Sequence, residues 1–236
     1  IIKCGSYIGN GSSTGPEINL GWEPQWILIK NIEENGDEWV MYDSMRGIST
    51  NENDNRLYAN ATSSETSTAN QVDLTPTGFK ITDSHSQVNR VDDKLIYFAV
   101  RRSDGYVGKP PELGTDVFAM DSSGAGTPGP SFVSNFPVDF GLTRKPGASQ
   151  DWYTGARVLG SKYLKTNSTG SANTDAEMAW DFSNGFVSGN FFGNSDNQGW
   201  MWKRHAGFDV VTYKGSGVAH SIPHSMNKIP EMVWLK

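Results

Sequence analysis

The chain restarts near its end. Tyr7, Gly9, Gly11, Pro24 and Lys30 recur, in order and at one constant displacement, as Tyr213, Gly215, Gly217, Pro230 and Lys236. The run Pro24-Gln-Trp-Ile-Leu-Ile-Lys30 thereby returns as Pro230-Glu-Met-Val-Trp-Leu-Lys236. A sequence that repeats itself folds as a unit used more than once, each copy closing its own core or sharing it with the next. A lone strand buries little, so the returned run needs partners. The chain opens Ile-Ile-Lys, with neither an initiator Met nor a signal-like stretch. The expectation is a segment of a longer repetitive polypeptide, with residues 207–236 as the truncated start of a further repeat.

Shorter correspondences divide the large repeat into two degenerate halves. In the first, Trp26-Ile-Leu-Ile29 is a continuous apolar run bounded by Pro24 and Asn31, the pattern of a strand buried on both faces. Trp39-Val-Met-Tyr42 follows across Glu33-Glu-Asn-Gly-Asp37, a hairpin signal. Val72-Asp-Leu74 with Gly78-Phe-Lys-Ile81 reads as a second hairpin, and Leu95-Ile-Tyr-Phe-Ala-Val100 as a third strong strand. In the second half, Pro137-Val-Asp-Phe-Gly-Leu142 stands in place of Pro24 to Ile29, and Asp151-Trp-Tyr153 in place of Glu38-Trp-Val40. Tyr163-Leu-Lys-Thr-Asn167 resembles Leu57-Tyr-Ala-Asn60. Asn184-Gly-Phe-Val187 answers to Thr77-Gly-Phe-Lys80, and Trp200-Met-Trp-Lys-Arg204 to Phe98-Ala-Val-Arg-Arg102.

Short strands at near-regular spacing, with turn residues between them, define an all-β fold of tandem antiparallel β-sandwiches. The expected division is residues 1–104 and 131–206 as the two sandwiches, joined by a Gly/Pro-rich connector, 105–130. Eight Trp, eight Tyr and eleven Phe supply the cores. Cys4 is the single cysteine, so no internal disulfide forms. A net charge of −6 disfavours a phosphate-binding surface, and nucleic acid is excluded as a partner. No apolar run approaches the roughly 20 residues of a bilayer span, so no membrane insertion is expected.

The ordered series Gly5-Ser-Tyr-Ile-Gly-Asn-Gly-Ser-Ser-Thr-Gly-Pro16, Gly21-Trp-Glu-Pro-Gln-Trp-Ile-Leu-Ile-Lys30, Tyr42-Asp-Ser-Met-Arg-Gly47, Thr77-Gly-Phe-Lys80 and Ile96-Tyr-Phe-Ala-Val-Arg-Arg102 resembles a repeat module of marine bacteriophage, cyanophage-like, tail-fibre and virion structural proteins. The stretch from Val107 to Arg204 resembles the continuation of the same proteins. The resemblance implies a concanavalin-like or jelly-roll β-sandwich, a structural role on the virion surface, outside the cell, and no catalytic residues. It also implies neighbouring repeats and identical subunits as partners. A homo-oligomer, in phage fibres commonly a trimer, would supply the stability that disulfides do not.

Site candidates follow from residue chemistry. Aromatic faces beside amides and carboxylates recognise sugars, and Trp22, Trp152 and Tyr153 are the candidates for host surface glycans, Trp22 and Tyr153 standing beside polar turn residues. Trp200 and Trp202, two residues apart, share one sheet face, and core is the expectation for it. Asn51-Glu-Asn-Asp-Asn55 gathers the oxygen ligands calcium prefers, with Glu52 and Asp54 as candidate ligands, yet lacks EF-hand spacing; no other cofactor is implied. The carboxylate clusters Asp92-Asp93 and Asp175 with Glu177 read as solvated loops rather than a glycosidase pair. Arg46, Arg101, Arg102, Lys203 and Arg204 recur at strand ends, placed to pair with a neighbouring module or to block stray strand pairing. Asn10, Asn60 and Asn167 open Asn-x-Ser/Thr triplets, which arise readily by chance in so Ser/Thr-rich a chain. The sequence therefore points to a non-catalytic virion structural and adhesion segment, with a lectin-like glycan-binding module and a polysaccharide depolymerase as the alternatives.

Overall fold

The computed structural model describes all residues except 1, 49, 51, 102–110, 123–128, 190–195 and 227. The chain forms two compact units, one comprising Ile1–Ser103 with Val211–Ser225, the other Asp104–Val210 with Met226–Lys236. The first unit runs through strands β1 (Ile2–Ile8), β2 (Glu17–Asn19), β3 (Pro24–Asn31), β4 (Val40–Asp43), β5 (Arg56–Tyr58), β6 (Val72–Thr75) and β7 (Gly78–Ile81). One helical turn, α1 (Ser86–Asn89), then leads into β8 (Lys94–Arg101). The second unit has β9 (Phe118–Ser122), β10 (Phe132–Val133), β11 (Phe140–Arg144), β12 (Tyr153–Ala156), β13 (Lys162–Lys165), β14 (Asn173–Thr174), β15 (Met178–Ala179), β16 (Gly185–Ser188) and β17 (Gln198–Trp202).

Each unit is an antiparallel sandwich of a large and a small sheet. In the first the orders are β1-β8-β3-β4-β5 and β2-β7-β6; in the second they are β14-β13-β12-β11-β17-β9 and β10-β16-β15. Substituting β9, β17, β11, β12 and β13 for β1, β8, β3, β4 and β5 makes the large sheets identical in order, with β14 added. Substituting β10, β16 and β15 for β2, β7 and β6 does the same for the small ones. The last strand of each large sheet thus inserts between the first and the third.

The ladders also fix which residues correspond. Ile29 lies opposite Val40 and Tyr97, and Thr143 lies opposite Tyr153 and Gly199. Thr143, not Leu142, therefore holds the place of Ile29, so the alignment on Pro137 is one residue out. In a period-two strand that slip exchanges the two faces. Thr143 points into the core, and Leu142 stands on the outer face with Leu28.

The first core lies between the two sheets of its unit. Ile27, Ile29, Tyr42, Leu95 and Ala99 meet Ile18, Val72, Leu74, Phe79 and Ile81. Each wholly buried Ile or Phe contributes about 1.5–3 kcal/mol by transfer from water. Strand β3 alternates: Ile27, Ile29 and Asn31 are buried, whereas Trp26, Leu28 and Lys30 are half-buried. Burial on both faces is thereby corrected, because a two-layer sandwich covers only the inner face of each sheet. The same correction applies to Trp200 and Trp202. They share a face, as their spacing requires, but Met201 is the residue turned into the core, and both indoles lie half-buried on the outside.

In the second core aromatic rings pack on bare backbone. A Cβ at Gly141 would approach Phe186 to 2.8 Å, and one at Gly199 would approach Phe132 to 2.7 Å. Phe186 in turn stacks on Trp180, with centroids 4.7 Å apart. The Gly-Phe pair found in both halves has one physical cause. At Gly78 a Cβ would lie 1.8 Å from the Ile18 carbonyl oxygen, and at Gly185 2.0 Å from that of Phe132, while Phe79 and Phe186 fill the cores. Only glycine lets the neighbouring strand come so near.

Two further expectations change. The interval 105–130 is no mere connector, since its described part contains β9, which pairs along its whole length with β17. Its Phe118-Ala-Met120 alternation is short and hidden between Gly- and Pro-rich stretches. Residues 105–110 and 123–128 of that interval lie outside the described residues, as does Arg102. Residues 207–236, expected to restart a repeat, form no strand among the described residues, and Ile229, Met232, Val233, Trp234 and Leu235 are exposed. Among the described residues no strand pairs with them as β8 pairs with β3.

Gly185→Ala, whose methyl must displace backbone, is expected to lower stability by about 2–4 kcal/mol. Gly114→Ala, with nothing within 4 Å, is expected to stay within about 0.5 kcal/mol in the same denaturant titration.

Candidate functional site

At the open end of the hairpin joining β4 to β5, and again where β12 meets β13, the chain builds one small device twice. In the first unit Asn60 Oδ1 accepts the Trp39 backbone N–H at 2.9 Å, and Asn60 Nδ2 donates to the Glu38 carboxylate. In the second, Asn167 Oδ1 accepts the Trp152 backbone N–H at 3.1 Å, and Asn167 Nδ2 donates to Asp151 at 2.9 Å. The opposite strands close alike, through Ala59 N–H to Trp39 O at 2.9 Å and Thr166 N–H to Trp152 O at 3.0 Å. An asparagine amide offers an acceptor and a donor on one plane, which is what a backbone N–H and a carboxylate side by side require.

This clamp grips the tryptophan by its backbone and leaves the indole to point elsewhere. Because successive side chains alternate, the acid and the indole take opposite faces, and the indole goes to the outer face of the large sheet. In the second unit Trp152 and Trp200 have centroids 5.5 Å apart, and the Arg144 guanidinium carbon lies 5.0 Å above the Trp152 ring. Gln198 faces Arg144 across the ladder. In the first unit the corresponding residues are Trp39, Phe98, Lys30 and Ile96, by the same pairing. Trp39 is 37% exposed, and Lys30 Nζ donates to the Asp37 carbonyl.

Electrostatics reinforce the second copy. Lys165 Nζ lies 2.8 Å from Asp151. That ammonium, and next the Asn167 amide, hold the Asp151 carboxyl below its usual range, and Asp151 in turn raises Lys165.

The sequence candidates fall in several places. Trp152 belongs to the patch. Tyr153 does not: its ring packs on the second core, edge-on to Tyr163 at 5.8 Å, with Lys165 Nζ 5.6 Å from its centroid. Trp22 is half-buried against the first core. Asp54 is fully buried, and its Oδ2 accepts the Gln71 and Val72 N–H groups at 2.6 and 2.8 Å, holding the start of β6. Glu52 is half-buried in the same loop, and among the described residues no three His, Cys, Asp or Glu side chains are grouped to hold a metal.

The remaining charged residues serve the fold. Asp93 accepts from Asn31 at 2.8 Å, and Asp175 is buried rather than solvated, its Oδ1 accepting the Glu177 N–H at 3.1 Å. Arg46 pairs with Asp43 and Glu65, and Arg204 with Asp209 at 2.8 Å, all within their own units. Arg157 and Asp139 form a second buried pair at 3.3 Å. Asn10 is likewise tied into the fold, accepting from Ser12 N–H and Asn89 Nδ2.

Trp39, Arg144 and Gln198 escape the sequence reading as site residues, Trp200 is assigned there to the core, and Asn60 and Asn167 enter only as openers of Asn-x-Ser/Thr triplets. The signal was present in pieces: an acid-Trp pair and a later Asn occur in both halves, and only the pairing of the strands joins them.

Residues 2–103 match a family model described as a domain of unknown function (DUF7483), an interval that ends with the first unit's β8. No curated protein and no solved structure matches the chain.

Replacing Asn60 by Ala removes the acceptor of the Trp39 N–H, and is expected to destabilise the first unit by about 1 kcal/mol. Hydrogen exchange at the Trp39 amide, faster in the variant while amides of β7 are unchanged, checks that the loss is local.

Proposed function

We propose that this chain is a non-catalytic structural and adhesion segment of a phage tail fibre or a similar virion surface appendage. The observation that carries the reading is one sandwich built twice, followed by residues that repeat the opening of the first. Units that each close their own core can be added in series without redesign, which is how elongated appendages gain length. The resemblance to virion structural repeats supports the same role. The large-sheet outer faces suit it too, because half-buried apolar rows there are ready to meet a neighbouring repeat or an identical subunit. No specific observation favours the depolymerase alternative.

Sedimentation or light scattering of the native material is expected to give a trimer or higher assembly of a chain heavier than 25.9 kDa. A free monomer of that mass would count against the fibre and leave glycan binding alone as the function.

A further inference from the structure

We infer that the two clamped tryptophans are twin glycan-binding subsites, one per unit, and that the Trp152 subsite of the second unit is the stronger. The inference rests on the adhesive half of the reading above and gives it residues and a ligand class.

The first argument is what the clamp does not need. Its hydrogen bonds engage the backbone of residues 39 and 152, and any residue other than proline has that N–H. Yet both copies place the largest aromatic side chain there, although the strands around it have diverged widely. At the core positions the units exchange Ile29 for Thr143, and Tyr42 for Gly155, which both lie opposite the third strand's core residue. Beside the clamp they keep acid, tryptophan and asparagine. In the first unit the indole stands 37% exposed, where burial gives little reason for it.

The second argument is chemical fit. A hexose presents an apolar face of C–H groups and a rim of hydroxyls that both donate and accept. An indole serves the face. The rim needs charged or amide groups close to the ring plane, and the second unit supplies Arg144 over the ring and, across the ladder from it, Gln198, whose Nε2 donates to the Asp121 and Gly199 carbonyls. Arg144 makes no ion pair among the described residues, and its guanidinium lies over the Trp152 ring. An apolar protein partner would strip water from these groups without replacing their hydrogen bonds, at a cost; a polyol replaces them. The net charge of −6 further selects neutral over polyanionic glycans.

The third argument ranks the subsites. The second unit sets Trp152 against Trp200, where the first has Phe98 in the place of Trp200, with its ring edge-on to Trp26. One more indole and a guanidinium are worth roughly ten-fold in affinity at the scale of single aromatic contacts. Two weak subsites on one chain, multiplied by the copies in an assembly, give firm attachment from individually weak contacts.

The test is calorimetric titration of the full 236-residue chain with maltohexaose, cellohexaose, laminarihexaose and a galactan hexaose. At least one is expected to saturate below about 10 mM with two sites per chain. Trp152→Ala is expected to remove the tighter site, roughly ten-fold or more, and Trp39→Ala the weaker one. Trp152→Phe, which keeps an aromatic face, is expected to recover part of the loss, which separates ligand contact from a general effect on the fold. Circular dichroism of each variant verifies that the sandwich persists. Absence of saturation with all four sugars would overturn the proposal, as would saturation unchanged in the folded double variant. Neither result bears on the assembly state, so the fibre reading stands or falls separately on its mass.

Discussion

The pairing of β8 with both β1 and β3 is the constraint on which the first unit depends, and β17 repeats it against β9 and β11. The last strand of each large sheet is its organising centre. The first strand therefore has no partner until nearly a hundred residues later, and the unit closes as a whole or not at all. Such non-local pairing costs loop entropy before it returns contacts, so stability comes from the completed sandwich. The same rule explains residues 207–236. They repeat Tyr7, Pro24 and Lys30, with Val233 and Leu235 at the places of the wholly buried Ile27 and Ile29, yet form no strand among the described residues. The apolar pattern returns, and no strand pairs with it among the described residues.

A second consequence concerns the outer faces. Because the small sheet covers only one side of the large one, every other residue of β3, β8, β11 and β17 faces away from the core. There the chain sets Trp26 edge-on to Phe98 in one unit and Trp202 beside Phe140, Phe118 and Phe208 in the other. Trp234 adds an edge contact to Phe140. Aromatic residues on a sheet's outer face are unusual unless they meet something, and the proposed assembly and glycan contact would each use such a row.

Much of this was legible in the sequence, and the failures have physical causes. The β3 and β8 runs, the Asn-Gly turn and the second hairpin stand where patterning places them. The Gly-Phe pairs mark a close strand approach in both units. Strand β1 is invisible because an edge strand with one buried residue, Tyr7, carries no apolar period. Strand β9 is masked by the glycine and proline around it. The faces of Trp200 and Trp202 were misjudged because period two says that residues share a face and never which one. Of the site, Trp152 was named as a sugar candidate, but polar neighbours favoured Trp22 and Tyr153, which pack on the cores because burial depends on the opposing sheet. Asn60 and Asn167 stand on strands adjacent to those of their tryptophans, and only the hairpin register brings them together.

The most direct test of the central claim is amide hydrogen exchange across the full chain, comparing Ile27 and Ile29 with Val233 and Leu235. If strand formation depends on the inserted last strand, the first pair exchanges roughly a thousand-fold slower or more, in step with Ala99 of β8, while the second pair exchanges near the free-chain rate. Equal protection at the two places would contradict it, since the returned run would then be a strand without any counterpart of β8.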